Sequence, residues 1–197
     1  MPVKRLPYSS VDELLAREPL AEEDPGTRAL IARLRHVRRR GQFSRAEFLA
    51  MSRWKSPRAS LHYRRNSAAL IRRISRGVLA SRDEGHRIRL LTSFHGVSIP
   101  VASAILTLID PGRYGVLDIR VWQLLHALGA VARKPGGRGF TAEDWTSYLA
   151  CLRPAARRLR VSVRIVEYTL FHCHRRFQAG RLYDPVRAGR PRARGAP

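Results

Sequence analysis

The apolar residues of this chain recur at intervals of about three and four and rarely alternate, a pattern of amphipathic helices rather than strands. Ser10 and Glu13 read as a capping box opening a short helix through Leu14 and Leu15 that ends before Pro19. Glu22-Glu23-Asp24-Pro25-Gly26 then breaks the chain. From Thr27, the positions Leu30, Ile31, Leu34 and Val37 predict a second helix, which runs out in the cationic cluster Arg38-Arg39-Arg40-Gly41. Ser44 with Glu47 is a second capping box, ahead of Phe48, Leu49 and Met51, and Ser56-Pro57 stops that helix. A longer helix follows through Leu61, Ala68, Leu70, Ile71, Ile74 and Val78, irregular near Tyr63 to Asn66. Ser81 with Glu84 reads as a third capping box, ahead of Ile88, Leu90, Leu91 and Phe94.

The second half of the chain continues in the same way. Val101, Ala102, Ala104, Ile105, Leu106, Leu108 and Ile109 are apolar almost all round, as in a helix buried on most sides, and Asp110-Pro111-Gly112 ends it. Asp118 stands in N-cap position for a helix through Val121, Trp122, Leu124, Leu125 and Leu128. Lys134 to Gly139 is a basic, glycine-rich loop, and Thr141 with Asp144 caps a helix carrying Trp145, Tyr148, Leu149 and Leu152. Ser162 opens the last helix, through Val166, Tyr168, Leu170 and Phe171, and Gly180 ends it. The predicted fold class is all-α, without internal repeats. It divides into an N-terminal extension with a short helix over 1–26, a helical domain over 27–179 and a basic, disordered tail over 180–197.

Composition narrows the partners. The chain has 197 residues, enough for one well-cored domain, and carries 38 Lys+Arg against 15 Asp+Glu, a formal charge of +23. That excess favours nucleic acid first and an anionic membrane surface second, although a merely solvated, arginine-rich surface gives the same count. There is no apolar run of the ~18 residues a membrane helix needs, and Met1 to Glu23 lacks the apolar core of a signal peptide, so a cytoplasmic protein is expected. Cys151 and Cys173 alone build neither a disulfide framework nor a four-thiolate zinc site nor an iron–sulfur cluster. His172, Cys173 and His174 are sequence neighbours that point apart on a helix, which discounts a metal there. Lysine is confined to Lys4, Lys55 and Lys134, so any amine chemistry has three candidates.

Two positions stand out as chemistry. Phe94-His95-Gly96-Val97-Ser98-Ile99-Pro100 is a tight connection between two helical patterns. Gly96 lets the chain turn sharply, and the helix start beyond it offers unpaired N–H groups to a phosphate. The lone carboxylate Asp118 follows at the start of a later helix, where it could equally be only an N-cap worth about 1 kcal/mol.

The stretch from Leu91 through Leu106, followed by Asp110-Pro-Gly-Arg-Tyr-Gly-Val-Leu-Asp118-Ile-Arg-Val-Trp122, resembles the helix-hairpin-helix superfamily of DNA glycosylases over about a quarter of the chain. Gly96-Val97-Ser98 matches the hairpin, Ala102 to Leu106 its second helix, and Asp118 the family's aspartate. The resemblance implies a glycosylase-like helical fold with the active site next to the hairpin. It also implies duplex DNA bound through His95, Gly96, Val97, Ser98, Ile99 and Pro100, and a monovalent cation at the carbonyls of Thr92, Phe94 and Val97. Asp118 becomes the expected catalytic group, stabilising positive charge on the sugar and orienting or deprotonating water.

Two departures qualify the match. Ser98 stands where the family usually has glycine, and Pro100 stands where its bifunctional members carry their Schiff-base lysine. The resemblance therefore implies a monofunctional enzyme that leaves an abasic site without lyase activity, and a monomer is expected. Trp54, Lys55, Tyr63, Asn66 and Trp122 are candidates for lining the pocket of the flipped base, each also readable as core or surface. Alkylated or oxidised bases in repair, or hypermodified phage bases in antiviral defence, are both compatible substrates. The alternatives are a non-catalytic module using the same hairpin to hold DNA, and more weakly an RNA-associated basic protein.

Overall fold

A computed structural model describes residues 3–180 and 182. The expected basic tail therefore lies outside the described residues except for Gly180 and Leu182. Among the described residues the fold is all-helical, with one isolated bridge, Val3 to Gln178, and no strand. The helices are α1 (Val11–Arg17), α2 (Pro25–Leu34), α3 (Val37–Arg40) and α4 (Arg45–Lys55). After a 3₁₀ turn at Pro57–Ala59 come α5 (Ser60–Arg64), α6 (Ala68–Ala80), α7 (Glu84–Thr92) and α8 (Ile99–Ile109). The chain closes with α9 (Ile119–Ala127), α10 (Ala142–Leu159) and α11 (Val163–Phe177).

Side-chain caps set most of these boundaries, and several differ from the sequence expectation. The second helix begins at Pro25, before Thr27, because Asp24 accepts the Thr27 N–H at 2.9 Å and proline is pre-set for a first helical turn. It also stops at Leu34, and α3 resumes at Val37 and closes on Gly41 in the left-handed region. The long helix expected through Leu61 to Val78 breaks at the irregularity expected near Tyr63 to Asn66, where α5 ends at Arg64 and Ser67 caps a new helix by accepting from Leu70 at 3.2 Å. Ser44 with Glu47 and Thr141 with Asp144 are reciprocal capping boxes. Ser10 caps α1, but Glu13 returns to the Ser9 amide at 2.8 Å. Ser81 does not open α7. It ends α6, and Asp83 is the cap that accepts from His86.

The centre of the molecule is α8, whose residues from Val101 to Ile109 are all buried, as the run of apolar positions predicts. It is covered by α4 and α7, with α2 and α10 on its flanks. Phe48 of α4 packs on Phe94 at 4.6 Å between centroids and edge-on to Tyr63 at 6.2 Å, tying α4 and α5 to the end of α7. Burial of each large aliphatic side chain in this centre contributes about 1.5–3 kcal/mol, so the ends of α8 are fixed by its core. The segment before α2 is part of the same body, since Leu14 and Leu15 of α1 are buried in the shared core and α1 packs on α11. Glu23 is ion-paired to Arg164 of α11.

Candidate functional site

The hairpin between α7 and α8 is held from below. Gly96 has φ +81°, and a Cβ there would stand 2.6 Å from the Cβ of His62 and 3.2 Å from the Tyr63 ring, so α5 presses directly against the turn. The buried side chain of Asn66 clamps it by accepting the His95 N–H at 2.9 Å and donating to the carbonyls of His95 (3.2 Å) and Tyr63 (3.0 Å). Val97 is buried, whereas His95, Gly96 and Ser98 are exposed and Ile99 and Pro100 half-buried. Ser98 occupies the N-cap of α8, yet its hydroxyl makes no cap bond, and Pro100 has no N–H. The Ile99 and Val101 amides of the first turn thus receive no cap bond from the Ser98 side chain. Of the carbonyls expected to hold a cation, that of Phe94 closes the turn by accepting the Val97 N–H at 3.2 Å.

Asp118 is brought to the same end of the molecule by a pinned connection. The Leu117 amide donates to Ser103 Oγ of α8 at 2.9 Å and the Val116 amide to Glu167 Oε2 of α11 at 3.2 Å. Tyr148 of α10 donates its hydroxyl to the Val116 carbonyl at 2.7 Å. Asp118 caps α9, Oδ1 accepting the Arg120 N–H at 2.9 Å. Its Oδ2 accepts from Lys55 Nζ at 2.6 Å, Lys55 being the last residue of α4. Burial alone would raise the Asp118 carboxyl, but the charge and hydrogen bond of Lys55, with the Arg120 amide, outweigh it and hold the group below its ordinary value. Asp118 is consequently an anion at neutral pH, able to act as base or electrostatic partner.

The Lys55–Asp118 pair lies on the boundary of two cavities. The outer one, of about 720 Å³, is lined by Arg58 and His62, by Ser98 and Pro100 of the hairpin end, and by the pair itself. The inner one, of about 460 Å³, is bounded by the pair, the aromatic rings of Trp54, Tyr168 and Phe171, and the polar groups Thr27, Arg164 and Glu167. Both volumes fall in the range of small-ligand pockets, roughly 300–1,000 Å³.

The floor of the inner cavity is charged and buried. Arg164 reaches Glu23 through Nε (2.7 Å) and Nη2 (3.0 Å), and Glu167 through Nη1. Burial pushes the Glu167 carboxyl up, and although Arg164 counteracts this, the group stands at about 6. Glu167 Oε2 takes the bonds from Arg164 and Val116, and among the described residues Oε1 takes none. The Arg164 guanidinium also lies 4.4 Å from the Tyr168 ring centroid and 5.5 Å from that of Trp54, and Arg120 lies 5.4 Å from Phe171.

Of the pocket residues expected from sequence, Trp54 and Lys55 line the inner cavity, and Tyr63, Asn66 and Trp122 do not. Tyr63 and Asn66 are fully buried supports of the hairpin. Trp122 is buried because its indole N–H holds the basic loop, donating to the carbonyls of Arg133 (3.2 Å) and Lys134 (3.1 Å). Residues not anticipated are Arg164, Glu167, Tyr168 and Phe171 of α11. Their signal in the sequence is a pair of opposite charges three apart on the apolar face of Val163, Val166 and Leu170. His174 is buried with Nε2 2.9 Å from Gln123 Oε1, whereas His172 is exposed and packs on Tyr168. No grouping of three or more metal-ligating side chains occurs among the described residues, and no helix there is long and apolar enough to cross a membrane.

No family model, curated protein or solved structure matches the chain.

Proposed function

We propose that the protein is a DNA glycosylase that flips a modified base out of duplex DNA and hydrolyses its N-glycosidic bond. The observation that carries this reading is the ionised Asp118 on the wall shared by an outer cavity at the hairpin and an inner, aromatic cavity. A phosphate at the first turn of α8 leaves the sugar beside Asp118 and the base in the inner cavity. As the glycosidic bond breaks, positive charge grows on the sugar, and a fixed carboxylate stabilises it and directs water to the anomeric carbon. Pro100 supplies no amine from the hairpin, so the bond is broken by hydrolysis.

Other features fit the same reading. Leu61 is 75 % exposed on α5 next to His62, an apolar side chain placed to enter the gap a flipped base leaves in the stack. Arg64, Arg65, Arg72 and Arg73 are exposed and available for phosphates, whereas Arg38 and Arg40 are already paired with Asp110 and Glu47. Because guanidinium groups already lie against the Trp54, Tyr168 and Phe171 rings, the inner cavity suits a neutral base better than a cationic alkylated one. The free Oε1 of Glu167 suits a base with an amino or imino N–H on its edge. Measuring duplex binding and base release side by side for Asp118→Asn tests the proposal. Binding is expected to persist and release to vanish, and equal release by the variant would refute it.

A further inference from the structure

We infer that the protein has a second ligand site, for a nucleoside diphosphate, at the end of α8 away from the hairpin. A helix of this length spans about 16 Å. Its first turn adjoins the hairpin, and Leu106 and Ile109 at its other end line a separate cavity of about 470 Å³. Five guanidinium groups border this cavity, those of Arg35, Arg38, Arg39, Arg87 and Arg113, and among the described residues its wall carries one carboxylate, Asp110. Arg38 answers Asp110 at 3.0 Å. Arg87 is buried, its guanidinium donating to the Ser81 carbonyl and the Tyr114 hydroxyl. Arg35 and Arg39 are exposed, and among the described residues neither side chain has a hydrogen-bond or ion-pair partner.

The two parts of the wall select the two parts of the ligand. Guanidinium forks bind phosphate oxygens in pairs, and Arg35 and Arg39 have that capacity uncommitted. Arg113 can join them. It is exposed, and the Glu84 carboxylate it pairs with at 3.0 Å is also held by Arg87 and Arg153, so Glu84 stays paired when Arg113 turns to a phosphate. Val78 and Leu79 of α6 with Leu106 and Ile109 of α8 make the remainder apolar. Inorganic phosphate would leave this floor bare. A duplex carries its phosphates on a convex surface with its bases stacked inside, so it would meet the arginines and not the floor. A nucleoside diphosphate meets both, its phosphates on Arg35 and Arg39 and the face of its base on the aliphatic side chains. The volume lies in the small-ligand range of roughly 300–1,000 Å³. The inference does not rest on the glycosylase reading.

Isothermal titration calorimetry of the full chain with ADP, inorganic pyrophosphate and adenosine tests this, at about 0.15 M salt so that general surface attraction is screened. ADP is expected to bind once per chain, and pyrophosphate and adenosine each about tenfold or more weakly, since each fills one part of the site. Saturating duplex DNA is expected to leave ADP binding unchanged, the hairpin being at the other end of α8. Arg35→Gln with Arg39→Gln removes two exposed, unpartnered cations, leaves the fold intact and is expected to lower ADP affinity about tenfold or more. Arg5→Gln with Arg157→Gln removes the same charge from exposed positions outside the cavity and is expected to leave affinity within about twofold. No ADP binding, pyrophosphate binding as tight as ADP, equal losses in the two double variants, or displacement of ADP by the duplex would overturn the inference.

Discussion

Replacing Arg164 with leucine removes the cation that holds the floor of the inner cavity. Glu167 is then a carboxylate whose side chain is 2% exposed, with only the Val116 amide left to it, and Glu23 loses a bidentate partner. Removing one member of a buried ion pair costs about 3–5 kcal/mol. For a chain of this size each kcal/mol lowers Tm by roughly 2–4 °C, so a fall of roughly 6–20 °C near neutral pH is expected. The loss should depend on pH in a defined direction. In the wild type Glu167 titrates at about 6, above the ordinary 4.5, so between these values the folded state binds more protons and this group's contribution weakens as pH rises. Without Arg164 the carboxyl moves further up, and lowering the pH from 7.5 to 5 neutralises the stranded charge. Thermal unfolding followed by circular dichroism at the two pH values should show the gap between variant and wild type narrowing at pH 5. Replacing Glu167 by leucine as well should recover much of the loss, because no buried charge is then left alone. A gap under about 1 kcal/mol, or one that widens at pH 5, would refute the assignment of Arg164 and Glu167 as a coupled buried pair.

Two further outcomes follow from the side that carries the proposed DNA contacts. Asn66→Ala leaves the His95 amide without its partner and should cost about 1–3 kcal/mol, with duplex affinity falling more than stability predicts; fluorescence anisotropy beside thermal unfolding checks both. Leu61→Ala should lower base release from duplex DNA while leaving release from single strands unchanged, since only the duplex has a gap to fill; equal losses on both would remove Leu61 from the flipping step.

The helical fold and the turn ahead of α8 were legible in the sequence because local chemistry determines them. Gly96, the apolar run after it and the N-cap at Asp118 each specify a turn, a buried helix or a helix start without reference to distant residues. Boundaries were read less well where two polar residues competed for one cap, as Ser81 and Asp83 do ahead of α7. The inner cavity was not legible, because it is made by the meeting of α4 and α11, more than a hundred residues apart in the chain. An aromatic at helical spacing does not declare whether it packs, as Trp122 does, or faces a cavity, as Trp54 does. Lys55 was visible as one of three amines, but only the fold brings it to Asp118.

The central claim is that Asp118 breaks a glycosidic bond in duplex DNA. Mass spectrometry of the free bases released from oxidised, alkylated and phage-type hypermodified duplexes tests it most directly, with wild type and Asp118→Asn run in parallel at equal occupancy. The account predicts at least one base released by the wild type and none above background by the variant. No release from any duplex by the wild type, or equal release by both proteins, would contradict it.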